Sequence, residues 1–297
     1  MRRLFMLLSV ACLGVSCSSQ PLEKAPGNNT VLWEAKGKKD DKPFYIFGTM
    51  HLLCRDDAQL SENVKEILKR SEVIYFELDM DNLLGMMSGM GAMQMKNGVK
   101  LKDLVTPEEY DRIKKYFNKH GALPFGMVEN FKPMLLASTV TENQMQCETQ
   151  SGVEMMMMEE NSKKKDNKKE IKGLETIEQQ AAIFDSIPYK EQAKELVKMV
   201  DSSGNATGKD DLEKLVKAYK NQDLKQIEEI TLKSEPGLEN YMDLLLYKRN
   251  RNWISQIRSL TGQKTIIFAV GAGHLVGQYG VLELLKKEGY KLTPLKN

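Results

Sequence analysis

The sequence predicts an α/β (or α+β) fold: a mixed, mostly parallel central sheet flanked by helices, with a helical subdomain covering the sheet edge. Three observations carry this. Short unbroken apolar runs, Pro43–Phe47, Val73–Phe76 and Ile266–Val270, have the length and composition of strands buried on both faces. Amphipathic helical spacing lies between them, as at Val64, Ile67 and Leu68. The stretch Thr265–Leu292 reads strand, glycine turn, helix, strand, which is the alternation a parallel sheet needs.

The rest of the chain can be hung on that stretch. Gly271, Ala272 and Gly273 turn the chain with almost no side-chain bulk, so His274 emerges just past the strand's carboxyl end. Ligands bind there in open α/β sheets. Val281, Leu284 and Leu285 follow at helical spacing from Gly280, and Gly289 stops the helix. The construction recurs near the other end, where Gly48, Thr49 and Met50 lead from an apolar strand to His51. Two of the three histidines therefore stand in Gly-x-x-His after a strand. Imidazoles delivered to the same edge of one sheet could share a metal ion.

At the N-terminus, Arg2 and Arg3 precede the apolar run Leu4–Leu13, and Gly14-Val15-Ser16 lead into Cys17, as in a bacterial lipoprotein signal. The run falls short of the roughly 20 residues that span a bilayer. The expected organisation is a signal peptide over 1–17, a flexible tether over 18–30 and one domain over 31–297. Lipid on Cys17 would hold the protein at the membrane of the cell envelope, on its extracytoplasmic side, periplasmic or at the outer-membrane face. Loss of the leader takes Arg2 and Arg3 with it, so the net charge of +2 falls to near neutrality. Nucleic-acid binding gains no support from that.

Cys54 and Cys147 remain in the domain. Outside the cytoplasm such a pair reads first as a disulfide. The other reading takes His51 and Cys54, three residues apart, as fellow metal ligands, a role that oxidation makes vulnerable. Ser61 caps a helix, and Glu77 follows the run VIYF. A carboxylate there suits a third ligand or a general base, or a cap for the next segment. Leu83–Met95 holds five methionines and three glycines without regular pattern, which suggests a mobile apolar lid or, through soft ligands, a copper site. Thr106-Pro107-Glu108-Glu109 is a capping box opening a helix that stops at Gly121. His120 then lies in the last turn, where the helix dipole accounts for it. A further helix is expected over Phe131–Thr141, a solvated basic loop over Lys163–Lys169 and a strand over Glu170–Leu174. Pro188–Ile230 is amphipathic and supplies the helical subdomain, and a last long helix, Leu238–Leu260, carries Arg249 and Asn250.

The segments WEA…FYIFGTMHLL, VIYFELDM, GVE, GLETIEQQ, YKRNRNW and AVGAGHLVGQYGVLELLKKEGYKL together resemble the TraB/GumN family, bacterial relatives of the Tiki metalloproteases, over roughly Val31–Leu295. The resemblance implies a divalent-metal-dependent hydrolase with His51, His274 and Glu77 as metal ligands. Glu77, Glu175, Arg249 and Asn250 are the catalytic candidates. Glu77 is first choice for ligand or base and Glu175 second, although Glu175 also suits a helix start. Arg249 could neutralise an oxyanion or bind a substrate carboxylate, and Asn250 could orient ligand or water. Ligand softness leaves manganese, cobalt and zinc open. The expected chemistry is attack of metal-activated water on a peptide, or another amide or ester. HExxH is absent, so the helix geometry of that zinc-protease motif is not imported. The alternative is a non-catalytic binding protein that holds a peptide signal or a haem-like ligand in the same cleft.

Overall fold

The apolar runs pair into one six-stranded sheet: β1 (Leu32–Lys36), β2 (Phe44–Thr49), β3 (Val73–Leu78), β4 (Glu170–Glu175), β5 (Ile266–Gly271) and β6 (Lys291–Leu295). The computed structural model describes residues 20–145, 147–163, 167–203, 206–233 and 241–297. The expected signal peptide, with Cys17, and the first two residues of the expected tether lie outside them, as do part of the basic run and the start of the Leu238–Leu260 helix. The spatial order is β4-β3-β5-β2-β1-β6. Strands β4, β3, β5 and β2 are mutually parallel, and β1 runs antiparallel to both β2 and β6. This is the mixed, mostly parallel sheet the apolar runs predict. β3 continues to Leu78, so Glu77 lies within the strand rather than beyond it.

The helices are α1 (Glu62–Arg70), α2 (Leu83–Gly89), α3 (Pro107–His120), α4 (Phe125–Val128), α5 (Pro133–Glu142), α6 (Val153–Ser162), α7 (Ile177–Asp185), α8 (Tyr189–Ser202), α9 (Ala206–Lys220), α10 (Leu224–Lys233), α11 (Lys248–Leu260) and α12 (Val281–Lys287). Local chemistry sets several starts. Ser61 Oγ accepts the Val64 N–H, Thr106 and Glu109 form a capping box, and Thr176 and Gln179 form another. The methionine-rich stretch is not irregular: it forms α2 and a 3-10 turn, Met90–Met93, with Leu84, Met87 and Met90 exposed.

Strand side chains alternate between two faces, and each face has its own core. Tyr45, Phe47, Ile74, Phe76, Ile267 and Ala269 pack against α1, α6, α9 and α10. Phe44, Ile46, Val73, Tyr75, Ile266 and Phe268 pack against Trp253 and Ile257 of α11 and Leu282 and Leu285 of α12. Both faces are covered, which is why these strands read as continuous apolar runs. A third core contains no strand residue: Ile113 and Phe117 of α3 meet Phe125 of α4, Leu136 and Val140 of α5, and Leu196 of α8. The helical stretch Pro188–Ile230 therefore divides. α8 joins the all-helical core, whereas α9 and α10 lie on a sheet face, held there by Tyr219 and Ile227. No helix among the described residues is long and apolar enough to cross a membrane.

Candidate active site

Register brings the two histidine turns together. In the parallel pair β2–β5, Thr49 stands opposite Gly271, so both chains leave the sheet side by side and reach their histidines within three residues. His274 closes a 3-10 turn, Ala272–His274, and is buried; the His51 side chain is 62 % exposed. Gly271 keeps the space between them open. A Cβ there would lie 3.2 Å from Glu77 Oε1 and 3.7 Å from His51 Nε2.

Glu77, on the next strand but one, faces both rings. Its Oε1 is 3.9 Å from His51 Nε2 and 3.7 Å from His274 Nε2, so the two imidazoles are separated by no more than those two steps. The Gly271 N–H donates to the same oxygen at 2.8 Å. Arg249 binds the other side of the cluster. Its Nη2 is 2.6 Å from Glu77 Oε2 and 2.9 Å from Glu175 Oε2, and its Nε donates to Glu175 Oε2 at 3.0 Å. Its Nη1 reaches the Leu245 carbonyl at 3.2 Å and His274 Nε2 at 3.1 Å, and its Cζ sits 4.9 Å from the centre of the Trp253 ring. Arg249 follows a π-helical turn, Asp243–Tyr247, a rare form that recurs at functional sites.

Each imidazole is oriented through its Nδ1. Asn250 Nδ2 donates to the Tyr279 carbonyl at 2.9 Å and the His274 carbonyl at 3.3 Å, which turns its Oδ1 toward His274 Nδ1 at 2.6 Å. Nδ1 of His274 therefore carries the proton and Nε2 presents a lone pair. Burial pushes the His274 pKa down to about 3 and keeps the ring neutral. His51 Nδ1 lies 2.8 Å from Glu154 Oε1, which leaves its Nε2 toward Glu77. Crowding by the neighbouring groups desolvates part of the His51 ring and opposes charge on it even though the side chain is largely exposed, but the close Glu154 carboxylate outweighs that and raises the pKa to about 9. Burial likewise opposes charge on Glu77. The charged Arg249 and His51 groups around it, with the Gly271 N–H, nevertheless hold its carboxyl well below the usual range.

The structure thus gathers His51, His274, Glu77, Glu175, Arg249 and Asn250 into one cluster. His120 is elsewhere, at the end of α3 with its ring 4.9 Å from that of Tyr116. Cys54 is bonded to Cys147, with a Cα separation of 5.6 Å, so it is no thiolate ligand. Glu154 is the residue that the sequence reading did not single out; its only signal was its place in GVE, seven residues after Cys147. The disulfide belongs to a short antiparallel contact in which Arg55, Ser151 and Val153 N–H groups donate to the carbonyls of Thr149, Leu53 and Met50. That contact holds the first turn of α6 against the His51 loop. Tyr219 of α9 adds support by donating to the Gly48 carbonyl at 3.0 Å.

The donor set fits a divalent cation on three counts. Two imidazole Nε2 atoms and a carboxylate oxygen are a familiar ligand set for such ions. Both Nδ1 atoms are already held by acceptors, the outer support that metal-binding histidines characteristically have. Glu77, Glu154 and Glu175 set three carboxylates against the one cation of Arg249, and the surplus matches a dication once His51 has given up the proton that Glu154 stabilises on it. The ligands are not drawn together, however: among the described residues no group of three or more His, Cys, Asp or Glu side chains stands ready to hold a metal. Arg249 occupies the lone-pair side of His274 instead.

Two cavities open beside the cluster. One, of about 610 Å³, lies between α2, β4 and the start of α7; the other, of about 520 Å³, lies between α7 and α11 and reaches Arg249. They share Leu174, Glu175, Gln179 and Gln256.

Fold and cluster together define a class of protein: a mostly parallel α/β sheet whose paired Gly-x-x-His turns face a strand glutamate and a helix arginine. The chain belongs to the TraB/PrgY/gumN family, which it matches over residues 31–294. Its curated relatives include metalloprotease TIKI2 of Danio rerio, 23 % identical over 317 residues that cover 89 % of this chain and 60 % of the relative. Metalloprotease TIKI1 of Homo sapiens is also 23 % identical, over 89 % of this chain and 61 % of its own length. The metalloprotease TIKI homolog of Amphimedon queenslandica is 23 % identical over 98 % of this chain and 66 % of its own. The chain thus spans about three fifths of the length of the first of these relatives. No solved structure matches it.

Proposed function

We propose that this protein is a lipid-anchored, extracytoplasmic hydrolase of peptide or other amide or ester bonds that works with a divalent metal, manganese, cobalt or zinc. The observation that carries the reading is the convergence of His51 Nε2 and His274 Nε2 on Glu77 Oε1, with each ring's Nδ1 already held by Glu154 or Asn250. The name metalloprotease borne by its TIKI relatives supports it. The anchor rests on Arg2, Arg3, the apolar run and Cys17.

In this reading His51, His274 and Glu77 hold the metal, and the metal supplies a Lewis acid for the carbonyl and a lower pKa for water. Glu175 is the carboxylate that faces both cavities, and it accepts the proton of the attacking water and returns it to the leaving group. Arg249, already charged and aimed by Glu77 and Glu175, donates Nη hydrogens to the oxyanion. Asn250 fixes the His274 tautomer, and Glu154 that of His51.

The second reading, a binding protein without catalysis, is favoured by one contact: the Arg249 guanidinium lies on His274 Nε2, where a metal would bind. Metal analysis of the purified full chain, followed by cleavage of a peptide library by wild type, His51→Ala and His274→Ala, separates the two. Metal-dependent cleavage lost in both variants supports the hydrolase. Peptide retained intact, with no metal dependence, favours the binding protein.

A further inference from the structure

The sheet has two edges, and the chain treats them differently. At β6, the outer edge is closed: the Ala25 N–H donates to the Pro294 carbonyl, the Lys296 N–H donates to the Glu23 carbonyl, and Pro294 itself offers no N–H. β4 ends the other side, paired only with β3. Among the described residues no backbone group outside β3 bonds to Glu170–Glu175. Its outward groups can be assigned. Gln256 Nε2 donates to the Leu174 carbonyl at 3.0 Å from the α11 side, so Leu174 faces away from β3. N–H and C=O of one strand residue point the same way and alternate along the strand, so Lys172 faces outward with Leu174. The group now on Leu174 is a primary amide, the side-chain equivalent of a peptide N–H.

This edge borders both cavities. Lys172, Gly173, Leu174 and Glu175 line the first cavity, and Leu174 and Glu175 continue into the second, which ends at Arg249. Side-chain amides border the path: Asn82 and Gln179 in the first, Gln179 and Asn252 in the second, and Gln256 in both. Two adjoining cavities bordered by amides, following an unpaired strand toward a charged cluster, match one kind of occupant: a chain with N–H and C=O groups at regular intervals.

We propose that β4 is the recognition edge of this site, and that an extended polypeptide binds by adding a strand along Lys172 and Leu174, which carries its next peptide bonds past Glu175 to Arg249. This deepens the hydrolase reading and rests on it for what happens at the groove's end. Backbone pairing would make recognition tolerant of sequence and intolerant of fold, since only an unfolded or extended segment exposes both faces of its backbone. Displacement of Gln256 from Leu174 accompanies binding.

The test is amide hydrogen exchange on the full chain, with and without an equimolar mixture of random-sequence decapeptides at millimolar concentration. Slowed exchange of the Lys172 and Leu174 amides is expected. Lys172→Pro, which removes an outward N–H without touching the ladder to β3, should weaken peptide retention about tenfold. Lys172→Ala, which removes the side chain only, should not. Unchanged exchange along β4, or equal loss in the two variants, overturns the proposal, and the exchange measurement on wild type decides even if Lys172→Pro fails to fold. Protection of β4 without cleavage would support the groove and count against the hydrolase. Cleavage without protection would overturn the groove alone.

Discussion

His51 and Glu154 lie 103 residues apart in sequence, and His51 Nδ1 lies 2.8 Å from Glu154 Oε1. The pair settles which nitrogen of His51 is free. With Nδ1 held by a buried carboxylate, Nε2 is the atom turned toward Glu77. Glu154→Gln keeps the shape and removes the charge. The expected result is a fall of about 10- to 100-fold in affinity for zinc, manganese or cobalt, measured by equilibrium dialysis, with the circular dichroism spectrum unchanged. Equal affinity in the variant would remove His51 from the proposed ligand set.

Arg249 joins Glu77, Glu175 and His274, so its replacements should separate stability from chemistry. Arg249→Ala leaves two buried carboxylates without their cation, and denaturant unfolding should show a loss of about 3–5 kcal/mol. Arg249→Lys keeps a charge but cannot reach both carboxylates with a planar fork. It should unfold closer to wild type, while turnover of any cleaved peptide falls about 100- to 1000-fold. Wild-type turnover in Arg249→Lys would remove the oxyanion role.

The Cys54–Cys147 bond closes a loop across 93 residues and ties the His51 turn to the start of α6. The double variant Cys54→Ser, Cys147→Ser should lose about 2–5 kcal/mol in urea unfolding. Hydrogen exchange should quicken most at Arg55, Ser151 and Val153, whose N–H groups make the neighbouring contact. Loosening confined to some other region would show that the bond does not brace the site.

Gly173 and Gly271 should respond to alanine in opposite ways. A Cβ at Gly173 would meet the Asp79 backbone nitrogen at 2.5 Å and the Leu78 carbonyl carbon at 2.9 Å, and backbone cannot easily move aside. Gly173→Ala should cost about 1–3 kcal/mol in thermal or denaturant unfolding. At Gly271 the closest group is Glu77 Oε1 at 3.2 Å, the end of a side chain. Gly271→Ala should leave stability nearly unchanged and weaken metal binding by displacing that carboxylate. Loss of stability at Gly271 with unaltered metal affinity would contradict the shared space between Glu77 and the two histidines.

The sequence by itself determined the pieces. Apolar runs of four or five residues read as buried strands, and the small residues after two of them, beginning at Gly48 and Gly271, let the chain leave the sheet within a few residues, so Gly-x-x-His placed both histidines just past strand ends. Caps at Ser61 and Thr106, and the helix ending near His120, were equally local and equally legible. Even the six clustered residues were marked, by motif resemblance, although nothing local joined them. What only tertiary structure decided was adjacency. Placing β5 between β2 and β3 sets Thr49 opposite Gly271 and puts Glu77 under both rings, and that order rests on pairings across 222 and 193 residues. Periodicity reports which face of an element is buried and is silent on which neighbour buries it. The same limit hid Glu154, the bridge that Arg249 makes, and the open edge of β4: each depends on a partner distant in sequence, or on the lack of one.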